Sequence, residues 1–100
     1  MPKPRIAPQV ETELDEIWFY IADHSGSIEI ADRVIESITI RFLLLAQSRH
    51  LGRRRDDLRP GLRSFPVGNY TIFYRIEKET VLILHVVHGS RDLEAFLKKS

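Results

Sequence analysis

Residues 62–88, LRSFPVGNYTIFYRIEKETVLILHVVH, decide how this chain folds. Two runs, 62–67 and 70–77, flank Gly68-Asn69. That dipeptide between apolar-rich runs signals a two-residue hairpin, because glycine and asparagine tolerate the positive φ such a turn needs. In the second run Tyr70, Ile72, Tyr74 and Ile76 alternate with Thr71, Phe73 and Arg75, the period of two expected of a strand. Lys78-Glu79 make the next break. Residues 81–88 are almost wholly apolar, which suits a central strand covered on both faces.

Upstream the period changes to that of a helix. Val10, Leu14, Ile17 and Ile21 form one apolar stripe behind Pro8, whose missing N–H is harmless in a first helical turn. Glu11, Glu13, Asp15 and Glu16 crowd the start, where the positive end of the helix dipole favours them. His24-Ser25-Gly26-Ser27 reads as a tight connection, with Ser27 as the N-cap of a second helix. That helix is expected over 28–48, a length of about 30 Å. Ala31, Val34, Ile38, Phe42 and Leu45 make its core stripe. Ile35, Leu43 and Leu44 lie off that stripe, so the helix is more apolar than one buried face requires. Gly52 is expected to stop it as a left-handed cap. Helices joined so tightly fold back as an antiparallel hairpin. Residues 3–7 suit a short opening strand, and 91–99 a closing helix capped by Ser90 or Asp92. The order strand, helix, helix, three antiparallel strands and tail helix makes an α+β fold, with helices on one face of a sheet. At 100 residues, without repeats or linkers, the expected organisation is a single domain, 1–100.

Hydrophobic residues make up 43% and charged residues 29%, enough for a core with an ordinary surface. The absence of cysteine excludes disulfides and thiolate chemistry and fits a reducing cytoplasm. No long apolar run follows Met1-Pro2-Lys3-Pro4-Arg5, so no signal peptide is expected. The apolar cluster at 42–46 is far too short to span a bilayer. Net charge is only +1, but its distribution is uneven. Residues 1–36 hold eight acids against three bases, and 37–75 hold eight arginines against two acids. Six of those arginines fall between Arg49 and Arg63. Such a bipolar chain steers encounters with charged partners.

Several stretches resemble the ParE branch of the RelE/ParE toxin superfamily. Leu51-Gly52-Arg53-Arg54-Arg55-Asp56-Asp57-Leu58-Arg59-Pro60-Gly61-Leu62-Arg63-Ser64-Phe65-Pro66-Val67-Gly68-Asn69-Tyr70 is similar to the middle of such toxins. So are Ile72-Phe73-Tyr74-Arg75 and His85-Val86-Val87-His88-Gly89-Ser90-Arg91-Asp92. Leu14-Asp15-Glu16-Ile17-Trp18 and Tyr20-Ile21-Ala22 look like the family's opening helix. The likeness spans residues 4–97, and it rests on several motifs in order. It implies a RelE/ParE-like fold and a toxin of a type II toxin–antitoxin module. It implies a ParD-like antitoxin as partner, DNA gyrase as target, DNA contact only through the antitoxin complex, and no cofactor. The superfamily also contains RelE, which cuts messenger RNA on the ribosome, so the alternative is a ribosome-dependent endoribonuclease.

Residues choose between these readings. Cleaving RNA needs a base, an acid and cations around the phosphate. Where the RelE pattern has an arginine in the middle hairpin strand, this chain has Thr71. Arg91 matches a second arginine. The tyrosine of the closing helix falls at or beside Leu97, and no tyrosine follows Tyr74. Two of three groups are therefore missing, and the expectation is a binder and not an enzyme. His85 is expected to be a satisfied strand residue, and His88 lies at a strand end. The histidines at 24, 50, 85 and 88 give no metal-ligand spacing. Asp56 and Asp57 among arginines read as ion pairs that fix a turn. Candidates for antitoxin binding are Trp18, Ile35, Leu43, Leu44, Arg53 and Arg59. Candidates for target binding are Arg63, His88, Arg91 and Phe96. An amphipathic partner helix would bury the extra apolar residues of the second helix.

Overall fold

The computed structural model describes residues 2–89. The elements are β1 (Arg5–Ile6), α1 (Pro8–Ser25), α2 (Ile28–Gln47), β2 (Arg53–Arg54), β3 (Arg63–Val67), β4 (Tyr70–Glu77) and β5 (Thr80–His88). The expected tail helix, with Arg91 and Phe96, lies outside the described residues. The strands form one sheet in the order β1-β5-β4-β3-β2. β1 runs parallel to β5 and the other pairs are antiparallel. The expected strand–helix–helix–strands order is present, with one strand more than the sequence indicated. That strand is β2, two arginines paired with Ser64 and Arg63. β2 covers only the start of β3, so from Phe65 onward β3 is an edge, where Pro66 and its missing N–H are tolerated.

Local chemistry sets the boundaries. Pro8 opens α1, and Gly26 closes it in the left-handed region (φ 68), donating its N–H to Ala22 O at 2.9 Å. The Ser27 hydroxyl accepts the Ile30 N–H at 3.1 Å and caps α2. Val67 and Tyr70 close the β3–β4 turn around Gly68, whose φ is 57. Glu77 and Thr80 close the β4–β5 turn, where Lys78 adopts φ 57.

Gly52 corrects the sequence reading. It is not a left-handed helix cap, because α2 already ends at Gln47 with Ser48 as C-cap. It is needed for closeness. A Cβ there would lie 2.5 Å from Tyr74 Oη and 2.9 Å from Ser64 O.

Both helices lie on one face of the sheet. Val10, Ile38, Phe42, Leu45 and Ala46 pack there on Ile72, Tyr74, Val81, Ile83 and Val86. The pleat sends Phe73 to the opposite face, where Leu62 and Val87 bury it and Leu58 and Leu84 pack alongside. β5 is thus covered on both faces, as its unbroken apolar run implied. Strict alternation would put Ile83 and Val86 on opposite faces. A bulge removes the conflict: Phe73 pairs with His85 and Tyr74 with Ile83, leaving Leu84 as the extra residue.

Because β1 pairs only with Leu82 and Ile83, β5 beyond the bulge has no neighbouring strand on that side. α1 supplies side chains instead. Gln9 Nε2 donates to Leu84 O at 2.9 Å. The Glu13 carboxylate accepts the Val86 N–H at 2.9 Å and meets His85 Nδ1 at 2.7 Å. Glu13 was expected to serve the helix dipole. It serves the strand, and His85 is the satisfied, buried strand histidine that was expected.

Candidate functional site

Most of the described residues singled out in the sequence lie on three surfaces: the arginine loop, the outer face of α2, and the outer face of α1.

The loop is rooted on a buried hydroxyl. Tyr74 is fully buried, donates to Arg49 O at 2.8 Å and accepts the Gly52 N–H at 2.8 Å. Each such bond is worth ~1 kcal/mol net, and an orphaned partner costs more. Burial pushes the Tyr74 phenol up from its ordinary value, since the anion would be poorly solvated there. Arg63 Nη1 donates to Gly52 O at 2.7 Å, holding the same corner from β3. Arg63 is therefore half-buried and committed to the loop's root.

Beyond the root the loop neutralises itself. The Arg55 N–H donates to Leu62 O at 2.7 Å and closes the segment. Asp56 Oδ1 accepts the Gly61 N–H at 2.9 Å, and its other oxygen pairs with Arg54 at 2.9 Å. Arg55 grips Asp57 through two bonds of 3.1 Å each. The Gly61 N–H, first, and the Arg54 guanidinium hold the Asp56 carboxyl below its ordinary value; Arg55 does the same for Asp57. The aspartates fix the turn, as the sequence suggested. Arg53 remains exposed on the sheet edge, and Arg59 is half-buried.

On α2, Ile40, Leu43, Leu44 and Gln47 recur at i, i+3, i+4 and i+7 and point away from the sheet. Ile40, Leu43 and Leu44 are 49%, 52% and 38% exposed. Leu43 and Leu44 are thus outward, and Ile40 joins them, a neighbour that the sequence reading did not single out. Its helical phase was the available signal. Ile35 is half-buried. Trp18 is also half-buried, and its Nε1 donates to Asp32 at 2.7 Å, tying α1 to α2.

On α1, Phe19 and Tyr20 stand in solvent, with Trp18 edge-on to Phe19 at 5.2 Å. Tyr20 stacks on His24 at 3.9 Å. Tyr70 meets the exposed His88 edge-on at 5.4 Å. Burial, with Tyr20 nearby, pushes the Tyr70 phenol up. Tyr70 thus neighbours both His88 and Tyr20, while Arg63 sits at the loop's root on β3. Thr71 lies in β4 opposite Pro66 and Val87, without an arginine in its place. No described helix is long and apolar enough to cross a membrane.

Comparison with known proteins agrees with this architecture. Residues 5–93 match the family model described as ParE toxin of type II toxin–antitoxin system, parDE. The chain is 36% identical over 90 residues to Toxin ParE3 of Caulobacter vibrioides, covering 90% of this chain and 89% of that one. It is 29% identical to Toxin ParE1 of Mycobacterium tuberculosis, covering 89% and 91%. Its fold is similar to that of a chain from the chromosomal ParDE system of P. aeruginosa, with a TM-score of 0.76, 20% identity, and coverage of 88% and 96%.

Proposed function

We propose, on the premise that this chain belongs to the ParE toxin family of type II toxin–antitoxin systems, that it acts in the cytoplasm by holding DNA gyrase and is neutralised by a ParD-like antitoxin. The observation that carries the antitoxin half is the outward stripe of α2. Three large apolar side chains in register on a surface helix fit the apolar face of a partner helix. Arg53 and Arg59, in the loop that follows α2, favour an acidic segment. Contact with DNA comes only through the antitoxin complex.

The gyrase half is supported by family membership and by what the sheet carries. Thr71 brings no positive charge to a phosphate, and His85 is occupied with Glu13. Binding is therefore the favoured mode, without chemistry on a nucleotide. Trp18 and Ile35 support the antitoxin surface from within the hairpin. Arg63, His88, Arg91 and Phe96 are the target-side candidates, with Arg63 acting by fixing the loop.

The test is to induce the chain alone and with its ParD-like partner, and to measure gyrase supercoiling and messenger RNA integrity. Lost supercoiling with intact RNA is expected. Cuts at ribosomal A-site codons with normal supercoiling would replace this reading with the RelE-like one. Leu44→Asp is expected to weaken the antitoxin complex while leaving the monomer folded. Arg91→Ala is expected to reduce growth arrest and leave antitoxin binding intact.

A further inference from the structure

α1 carries five acids, Glu11, Glu13, Asp15, Glu16 and Asp23, and no lysine or arginine among its 18 residues. Glu13 is used inside the fold. The other four are exposed and, apart from a 4.0 Å approach of Asp23 to His24, have no ion pair among the described residues. Helix physics does not account for them. Glu11 gains from the dipole in the first turn. Glu11 and Asp15 then repel at a spacing of four, and Asp23 lies in the last turn, where the negative end of the dipole opposes it.

Between two of these acids stand two rings. Glu16, Phe19, Tyr20 and Asp23 recur at i, i+3, i+4 and i+7, one stripe facing away from the sheet. Phe19 and Tyr20 are 66% and 58% exposed, and Phe19 is the most exposed large apolar side chain among the described residues. An aromatic pair left in water contributes little to folding. Rings framed by carboxylates attract cations twice over, through the charges and through the π-faces.

We infer that this stripe is a docking surface for a basic segment of a protein partner other than the antitoxin. Exposed carboxylates repel nucleic acid and anionic lipid, so a protein segment bearing lysine or arginine beside apolar residues is the complementary occupant. The two outer helix faces then sort partners by sign. The α2 stripe, followed in the chain by the arginine loop, takes an acidic segment, and the α1 stripe takes a basic one. The inference rests on the two-partner reading above only in placing the basic segment on the target side.

The experiment uses the full chain and a short fluorescein-labelled peptide alternating arginine and leucine, with a glutamate–leucine peptide as counterpart. The arginine peptide is expected to bind at the α1 stripe, and any binding of the glutamate peptide, which belongs to the α2 stripe, is expected to be unaffected by substitutions on α1. Phe19→Ala with Tyr20→Ala, and separately Glu16→Lys with Asp23→Lys, should each weaken binding about tenfold or more. Circular dichroism should be unchanged, since all four side chains are exposed. No binding of the arginine peptide by the unsubstituted chain, or binding by either folded double variant as tight as by the unsubstituted chain, would overturn the proposal. A chain that binds the probe through this stripe yet leaves gyrase supercoiling untouched would support the docking surface and refute the gyrase reading.

Discussion

Both carboxylates of the arginine loop lie within 3.1 Å of an arginine, whereas α1 holds five acids with no lysine or arginine in the helix. In sequence the two regions look like mirror images, one basic and one acidic. In three dimensions they differ in kind. The loop spends Arg54, Arg55, Arg63, Asp56 and Asp57 on its own shape and roots itself on Tyr74. The α1 face keeps its charges in solvent. A run of like residues therefore says little about available charge until partners are assigned. The weaker-looking charge cluster is the freer one.

The contrast makes the loop's root the most sensitive point. Gly52→Ala should destabilise the protein by about 3 kcal/mol, the upper end of overpacking costs, because backbone and a buried ring flank the new methyl. Urea denaturation would measure it, and an unchanged midpoint would mean the corner can open. Tyr74→Phe should cost about 2 kcal/mol by the same measurement, since it strands the Gly52 N–H and the Arg49 carbonyl.

pH separates the regions next. Asp56 and Asp57 have lowered pKa values in the folded chain. Their contribution is complete above the ordinary aspartate value of about 4 and is lost as pH falls through the lower folded values. Tyr74 is shifted the other way. Its contribution is complete below about pH 10 and is lost as pH rises through the raised folded value. Melting temperatures should fall at both extremes. Replacing Asp56 and Asp57 by asparagine should flatten the acid limb, and Tyr74→Phe the alkaline one. The smallest effect is expected on α1. Asp23→Lys should raise stability by ~0.3–1 kcal/mol, because a cation suits the last helical turn. A loss of stability there would show that Asp23 has a folding role.

What the sequence revealed was what neighbours in the chain determine. Gly68-Asn69 gave the hairpin, Ser27 gave the cap, and the phase of Leu43 and Leu44 gave their outward direction. What it hid depends on residues far apart. Nothing in Arg53-Arg54 marks a strand, and only Ser64 and Arg63 make it one. The reason for Gly52 is a phenol 22 residues away. Leu84 is an ordinary leucine in an apolar run, and its role as the bulge appears only once β4 is placed beside it. Glu13 was assigned to the helix dipole because its actual acceptor role lies 73 residues further on. Phe19 was not singled out, because exposure is legible only after the inner stripe is fixed.

The two-residue β1 makes α1 a phasing device. Gln9 and Glu13 reach β5 one helical turn apart, and each residue inserted or deleted between them would rotate the second by about 100°. Length variation should therefore be forbidden from Ala7 to Glu13 and harmless ahead of Lys3, whose carbonyl accepts from Thr80. A fusion tag placed at the amino terminus inherits that freedom, and a one-residue insertion or deletion inside the first helical turn does not.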